Sequence, residues 1–196
     1  MRAHALDIIR DEHRALAGML TSLRSLVRDV RDQGRRPDFA LFRAIVYYLY
    51  AFPERLHHPK ETDTLFRLLR ARDPGDARAT LDRLDADHER GEDAVRRLAM
   101  ALLEYEQLGD ARRGAFVEQV ERYVDGYLRH MEIEEREVLP LAERLLGPAD
   151  WETVEAAFSC DRDPLTGHPP AAEYRALFSR IVNLAPAPIG LGPAAR

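Results

Sequence analysis

Cysteine is almost missing from this chain. The single Cys160 in 196 residues excludes an internal disulfide and a multi-thiolate metal site, and is expected to be a packed or surface thiol. Long hydrophobic runs are missing too. Nothing reaches the roughly 18 to 20 apolar residues that a membrane span needs, and the opening Met1 to Asp7 lacks a signal-peptide core, so a cytoplasmic protein with no membrane partner is expected. Neither sign of charge dominates: 29 basic against 34 acidic residues give −5, without blocks of like charge, which argues against a nucleic-acid partner. The period-two alternation of half-exposed strands is absent as well, leaving an all-α reading. Lysine occurs once, at Lys60, and carries no functional message. What is present is 45% hydrophobic and 32% charged residues, a composition that folds around one core rather than staying disordered.

Four helical segments follow from the spacing of apolar residues at steps of three, four and seven. The first carries Ile9, Leu16, Leu20, Leu23, Val27 and Val30 and stops near Gln33-Gly34. A second opens at Pro37-Asp38, carries Phe42, Val46, Leu49, Leu56, Leu65 and Leu68, and ends at Asp73-Pro74-Gly75. The third bears Leu81, Leu84, Val95, Leu98 and Leu102 and ends at Leu108-Gly109-Asp110. The fourth, from Phe116 to Leu145, closes at Gly147-Pro148. Short connections make neighbours antiparallel, so residues 1–148 are expected to form an up-down-up-down four-helix bundle. Residues 149–196 are expected to form a C-terminal extension packed on it. That extension would hold short helices at Trp151 to Phe158 and Ala171 to Asn183 and a frayed, extended end at Ala185 to Gly192.

Histidines interrupt the apolar stripes. His13 lies between Ile9 and Leu16, and His88 between Leu84 and Val95. His57 with Glu61, and His130 with Glu134, repeat the i, i+4 spacing that stacks two side chains on one helical face. The pattern His, then His-x-x-x-Glu, thus occurs twice, with copies 75 and 73 residues apart. The midpoint of His13 and His57 is residue 35, that of His88 and His130 is Gly109, and that of His57 and His88 falls between Arg72 and Asp73. Each midpoint is an expected turn, so four histidines and two glutamates meet at one level of an antiparallel bundle.

Burying them without partners costs roughly 1 to 3 kcal/mol for each group, and two facing carboxylates repel. Metal ions remove the conflict. Imidazole with carboxylate suits iron, manganese or zinc, whereas magnesium and calcium prefer oxygen alone. Six ligands suit two ions, with positions left for water, oxo or a small diatomic, and iron leads because such sites support oxygen chemistry.

The residues Asp11-Glu12-His13, His57-His58-Pro59-Lys60-Glu61, Asp87-His88 and His130-Met131-Glu132-Ile133-Glu134 resemble the hemerythrin-like, HHE cation-binding domains over about residues 1–146. The resemblance implies a non-haem di-iron centre, Fe2+ or Fe3+, held by His13, His57, His88 and His130 and bridged by Glu61 and Glu134. Oxygen-carrying hemerythrins have His-x-x-x-His on the third helix and an aspartate bridge on the fourth. This chain has Glu92 four residues after His88, and Glu134. Its ligand set is more similar to that of bacterial di-iron proteins implicated in iron-centre repair and nitric oxide stress, without a counterpart of their cysteine-bearing N-terminal segment.

The expected function is therefore that of a di-iron protein binding or sensing oxygen or nitric oxide. The alternatives are a di-iron oxidoreductase acting on peroxide, oxygen or nitric oxide, an iron-centre repair protein, or a metal-free structural or partner-binding bundle. Binding is favoured over catalysis because no flavin, nicotinamide or electron-transfer cysteine motif accompanies the site. A ferritin-like pattern is incomplete: Glu54-x-x-His57 matches, but Tyr127 precedes His130. A hydrolase lacks a nucleophile elbow. Glu92 is equally an extra ligand or a rim ion pair, His58 is expected on the outer face, and His4 and His168 in solvent. Pro53 and Pro59 are expected to disturb the second helix beside the site. Tyr123 or Tyr127 is a candidate donor to a bound ligand.

Overall fold

The computed structural model describes residues 2–167 and 172–184. Every regular element among them is helical. Helix α1 is Arg2–Asp32. A continuous helical run over 39–71, here α2, starts at Asp38, whose carboxylate accepts from the Leu41 amide at 2.9 Å and caps the free N–H groups of the first turn. Helix α3 is Arg78–Leu108, and it ends at Gly109, where a φ of +72° favours a residue without Cβ. The run 113–145 is α4. Two shorter helices follow, α5 at Pro148–Ser159 and α6 at Arg175–Leu184, the latter preceded by a 3₁₀ turn at Ala172–Tyr174. The expected short helices of the C-terminal part thus both form; the stretch expected to be extended, Ala185 to Gly192, lies outside the described residues, as does His168.

Two of the four long runs are not uniform α-helix. In α2, π-helical stretches at Tyr50–His57 and Glu61–Phe66 flank the short α-helical piece His58–Lys60. Pro53 and Pro59 lack the N–H that a regular ladder would use, and the His58 amide donates instead to the Pro53 carbonyl five residues back. In α4 a π-helical stretch at Glu134–Val138 sends the Leu139 amide to the Glu134 carbonyl, just ahead of Pro140. These widened turns lie at the histidine-glutamate level, as the two prolines of α2 led one to expect.

Side-chain pairs fix how the runs lie. Arg24 pairs with Asp125 and Arg28 with Glu121, so α1 and α4 run antiparallel. Arg43 with Glu106 and Thr62 with Asp85 set the same relation for α2 and α3, and Thr80 with Glu137 and His88 with His130 for α3 and α4.

The apolar interior divides into two clusters. One contains Leu16, Leu20, Phe42, Leu49, Phe52, Val95, Leu98, Phe116, Val120 and Tyr127. The other contains Ile9, Leu65, Phe66, Leu84, Val138 and Trp151. The histidine-glutamate level lies between them on all four runs: His13 between Ile9 and Leu16, His57 and Glu61 between Phe52 and Leu65, His88 between Leu84 and Val95, Glu134 between Tyr127 and Val138. Apolar layers on both sides keep bulk water from this level.

The segment after α4 is tied to the rest by specific bonds. Arg72 grips Asp150 in a two-pronged pair at 3.0 and 2.9 Å. Lys60 donates to the carbonyls of Cys160 and Asp161 at 2.6 and 3.0 Å, and the Tyr48 hydroxyl donates to Asp163. Phe178 of α6 packs edge-on against Tyr48 and Phe52. Among the described residues, no helix is long and apolar enough to cross a membrane.

Candidate metal centre

The structure brings all six predicted residues together. His13 comes from α1, His57 and Glu61 from α2, His88 from α3, and His130 and Glu134 from α4. His13 Nε2 lies 3.2 Å from His57 Nε2, and His88 Nε2 lies 3.0 Å from His130 Nε2. The glutamates lie between these two pairs. Glu61 Oε1 is 3.7 Å from His13 Nε2 and 3.3 Å from His57 Nε2, while its Oε2 is 3.6 Å from His88 Nε2. Glu134 Oε2 is 3.5 Å from His13 Nε2, and its Oε1 is 3.5 Å from His88 Nε2 and 3.1 Å from His130 Nε2. Each carboxylate therefore offers one oxygen to each histidine pair.

Three observations test whether these groups suit a cation. First, all four carboxylate oxygens of Glu61 and Glu134 are buried without a hydrogen-bond partner among the described residues, and the two glutamates are 0% and 1% exposed. Four orphaned acceptors at one level are costly unless a positive charge meets them. Second, ligand atoms roughly 2.1 Å from a common ion are separated by about 3.0 Å at a right angle and about 3.4 Å at the tetrahedral angle, close to the distances observed. Third, the histidines aim Nε2 inward because Nδ1 is engaged elsewhere. His57 Nδ1 meets Glu12 at 2.8 Å and His13 Nδ1 meets Glu135 at 3.1 Å. His88 Nδ1 meets the Thr62 hydroxyl at 2.8 Å, and that hydroxyl in turn donates to Asp85 at 2.8 Å. Such acceptors hold the proton on Nδ1 and leave the Nε2 lone pair for a metal. His130 Nδ1 has only Asp87, at 3.7 Å.

Without a cation the charges of the site are strained. Burial opposes the charged form of His13, yet the hydrogen bond with Glu135 and the nearby carboxylates of Glu61 and Glu134 push it up to about 9. Burial is likewise outweighed at His57, which Glu61 and Glu12 hold well above the ordinary imidazole value. Burial and the facing Glu61 oppose the charged form of Glu134, but His130 keeps it below the usual carboxylate range. The metal-free site thus binds protons where a metal would otherwise bind.

Sequence reasoning missed a second layer. His58, expected outside, is 5% exposed. Its Nδ1 bonds Glu54 at 3.0 Å, its Nε2 bonds the Tyr127 hydroxyl at 2.6 Å, and its ring stacks on His88 at 4.1 Å. The reason is that α2 has neighbours on several sides: His57 faces α1, and the next residue, about a quarter turn on, meets α3 and α4 instead of water. Ligand atoms of His58, Glu61, His88 and His130 all lie within 4.8 Å of one another, as do those of His13, His57 and Glu61. Both ring nitrogens of His58 already have partners, so it supports the site from beside it. Burial pushes its pKa well below the ordinary value, with His88 and His130 adding to the effect.

The hydroxyls of Tyr123 and Tyr127 are engaged with Glu54 and His58. Glu92 sits at the rim 3.8 Å from Arg55, and His4 pairs with Glu155. Glu12 and Glu54 gave one signal in the sequence: each is acidic and lies one or three positions before a stripe-breaking histidine.

An all-helical scaffold whose interior holds paired imidazoles around two unpartnered carboxylates defines a class, that of helical cation-binding proteins. A family model of the hemerythrin HHE cation binding domain matches residues 4–142, and the chain belongs to that family. Comparison with curated proteins and with solved structures returned no match.

Proposed function

We propose that the protein is a non-haem di-iron binding protein that binds or senses a small diatomic, oxygen or nitric oxide. The observation that carries this is the set of four carboxylate oxygens orphaned among the described residues, each within 3.7 Å of at least one Nε2 atom. In this reading His13 and His57 would hold one ion and His88 and His130 the other, with a carboxylate oxygen of Glu61 and of Glu134 available to each. Iron suits the mixed nitrogen and oxygen donors, and manganese or zinc would be accepted by the same atoms. When bound, two iron ions with vacant positions supply redox-active binding of a diatomic.

The rest of the work belongs to the chain. Glu12, Glu135 and Thr62 hold protons on three Nδ1 atoms, and the apolar layers above and below exclude water. The four long runs are interpreted as an up-down-up-down bundle over residues 1–148, with 149–196 as an extension laid against it. A cytoplasmic setting without nucleic-acid partners fits the balanced charge and the single cysteine.

Elemental analysis tests the proposal. Protein made in iron-replete medium should carry about two irons per chain, and His57→Ala and His130→Ala should each lose metal while remaining helical. A folded wild-type protein without iron, manganese or zinc overturns it. Mixing the reduced protein with oxygen or nitric oxide and an electron donor separates the functions: one stoichiometric spectral change supports binding or sensing, whereas repeated turnover supports the oxidoreductase alternative.

A further inference from the structure

The segment after α4 covers one half of the histidine-glutamate level, through Glu12, Lys60, Asp163 and the Phe158 ring, whose centroid lies 6.0 Å from that of His57. On the other half, the seam between α3 and α4 opens into a groove of about 370 Å³. Its floor includes Glu54, His58, Tyr123, Tyr127 and His130, and five arginines line it: Arg83, Arg90 and Arg97 from α3, Arg122 and Arg129 from α4.

The antiparallel register set by Thr80 with Glu137 and His88 with His130 puts Arg97 level with Arg122 and Arg90 level with Arg129, each to within about a residue. Like charges therefore face each other twice across one seam. Between them Gly91 is level with Gly126: Glu54 occupies the space that a side chain at Gly91 would take, and the seam stays open at Gly126. A Cβ at Gly91 would meet Glu54 Oε2 at 1.8 Å, whereas one at Gly126 would meet nothing within 4 Å.

Acidic groups neutralise this lining only in part. Arg90 bonds Asp87 of its own helix at 2.7 Å, and Arg122 bonds Glu118 and Gln119 of its own helix. Arg83, Arg97 and Arg129 form no ion pair or hydrogen bond among the described residues. Among the described residues, Asp87 and Glu54 are the acids that line the groove. Facing like charges destabilise a helix pair unless something of opposite sign lies between them. Guanidinium forks match carboxylate and phosphate oxygens in particular, and the volume is that of a small-molecule site rather than of a single water.

We infer that the α3–α4 groove is a binding site for a small oxyanion, a carboxylate or phosphate compound, held between the two facing arginine pairs beside the opening at Gly126. This does not depend on which metal, if any, fills the buried centre.

Calorimetric titration of the full-length protein with succinate and with inorganic phosphate, at ionic strength matched with sodium chloride, tests it. Saturable binding of at least one probe is expected. Succinate alone assigns the carboxylate class, phosphate alone the phosphate class, and both together a general oxyanion site. Arg97→Ala with Arg122→Ala should weaken binding at least tenfold; these side chains are exposed, so folding is preserved. Gly126→Leu fills the groove without touching a charge and should weaken it as much. Absence of binding by both probes overturns the inference, as do isotherms unchanged in the arginine variant. Weakening by the arginine variant but not by Gly126→Leu also overturns it, since the anion would then sit on the surface rather than in the groove.

Discussion

Glu12 offers a sharp test of how the site is tuned, because one carboxylate serves two donors. Its Oε2 accepts from His57 Nδ1 at 2.8 Å and its Oε1 accepts from the Asp163 amide at 3.1 Å, in a residue only 5% exposed. Burial is the largest influence and would raise its pKa, but the bond to His57 and its charge, the Asp163 amide and Lys60 together hold it below the usual carboxylate range. Replacing Glu12 by alanine leaves the Asp163 amide without a partner, at about 1 to 3 kcal/mol, and removes a charge-assisted bond worth about 1.5 to 3 kcal/mol. Glu12→Ala should therefore lose about 2.5 to 6 kcal/mol of stability together with metal affinity.

Glutamine separates the two effects. Its single amide oxygen can serve the Asp163 N–H, which puts its NH2 group against His57 Nδ1. That nitrogen must then accept, and the imidazole proton moves to Nε2, the atom aimed at the candidate metal. Stability should change by less than about 1 kcal/mol, while metal affinity should fall roughly 10- to 100-fold, as for other supporting acceptors of metal-bound histidines. Urea denaturation of the metal-free protein measures the first quantity, and competition with a chelator of known affinity measures the second. Glutamine retaining wild-type metal affinity would refute the reasoning, because the tautomer of His57 would then not depend on Glu12.

Metal loading at pH 7 should release at least one proton per chain, since His13, with a pKa of about 9 in the metal-free site, must give up a proton to coordinate; a weakly buffered titration with an indicator dye records it, and release should shrink above pH 9. Gly91→Ala should cost about 1 to 3 kcal/mol in thermal or urea unfolding, because the new Cβ strikes Glu54 Oε2. In a Glu54→Ala background the same change should be neutral or stabilising by up to about 1 kcal/mol, the helix preference of alanine over glycine. Asp163 is pushed up to about 6, mainly by burial. A carboxyl raised in the folded state contributes stability that is full below its unfolded value near 3.8 and is lost as pH rises through 6. Asp163→Asn should therefore match the wild type near pH 4 and exceed it by about 3 kcal/mol at pH 8, and a gap that stays constant between those pH values contradicts this.

The sequence made the helices and the inner ring of the site legible for the same reason. Both are written in positions along a single helix face. Leu16, Leu20 and Leu23 mark a stripe, and His13 is conspicuous because it breaks that stripe. Equal distances from Gly34, Asp73 and Gly109 then bring the four interruptions to one height without any knowledge of side-chain contacts. Local spacing also exposed the effect of Pro53 and Pro59, since a missing N–H must alter the ladder wherever the proline falls.

The supporting layer is written differently, in contacts between runs far apart in the chain. Glu12 acts on a histidine 45 residues away and on an amide 151 residues away, and no periodicity within α1 distinguishes it from Asp11 beside it, which pairs only with Arg14 of the same helix among the described residues. His58 illustrates the same limit from the opposite direction. A single amphipathic helix has one buried face, so the neighbour of a core histidine is assigned to water. α2 instead lies against α1 at His57 and against α3 and α4 at His58, and the covering segment anchored by Lys60 adds a further neighbour. A run surrounded in this way buries residues about a quarter turn apart at once. Its histidine pair, His57-His58, then supplies one group aimed at the metal and another that fixes Tyr127 and Glu54 beside it.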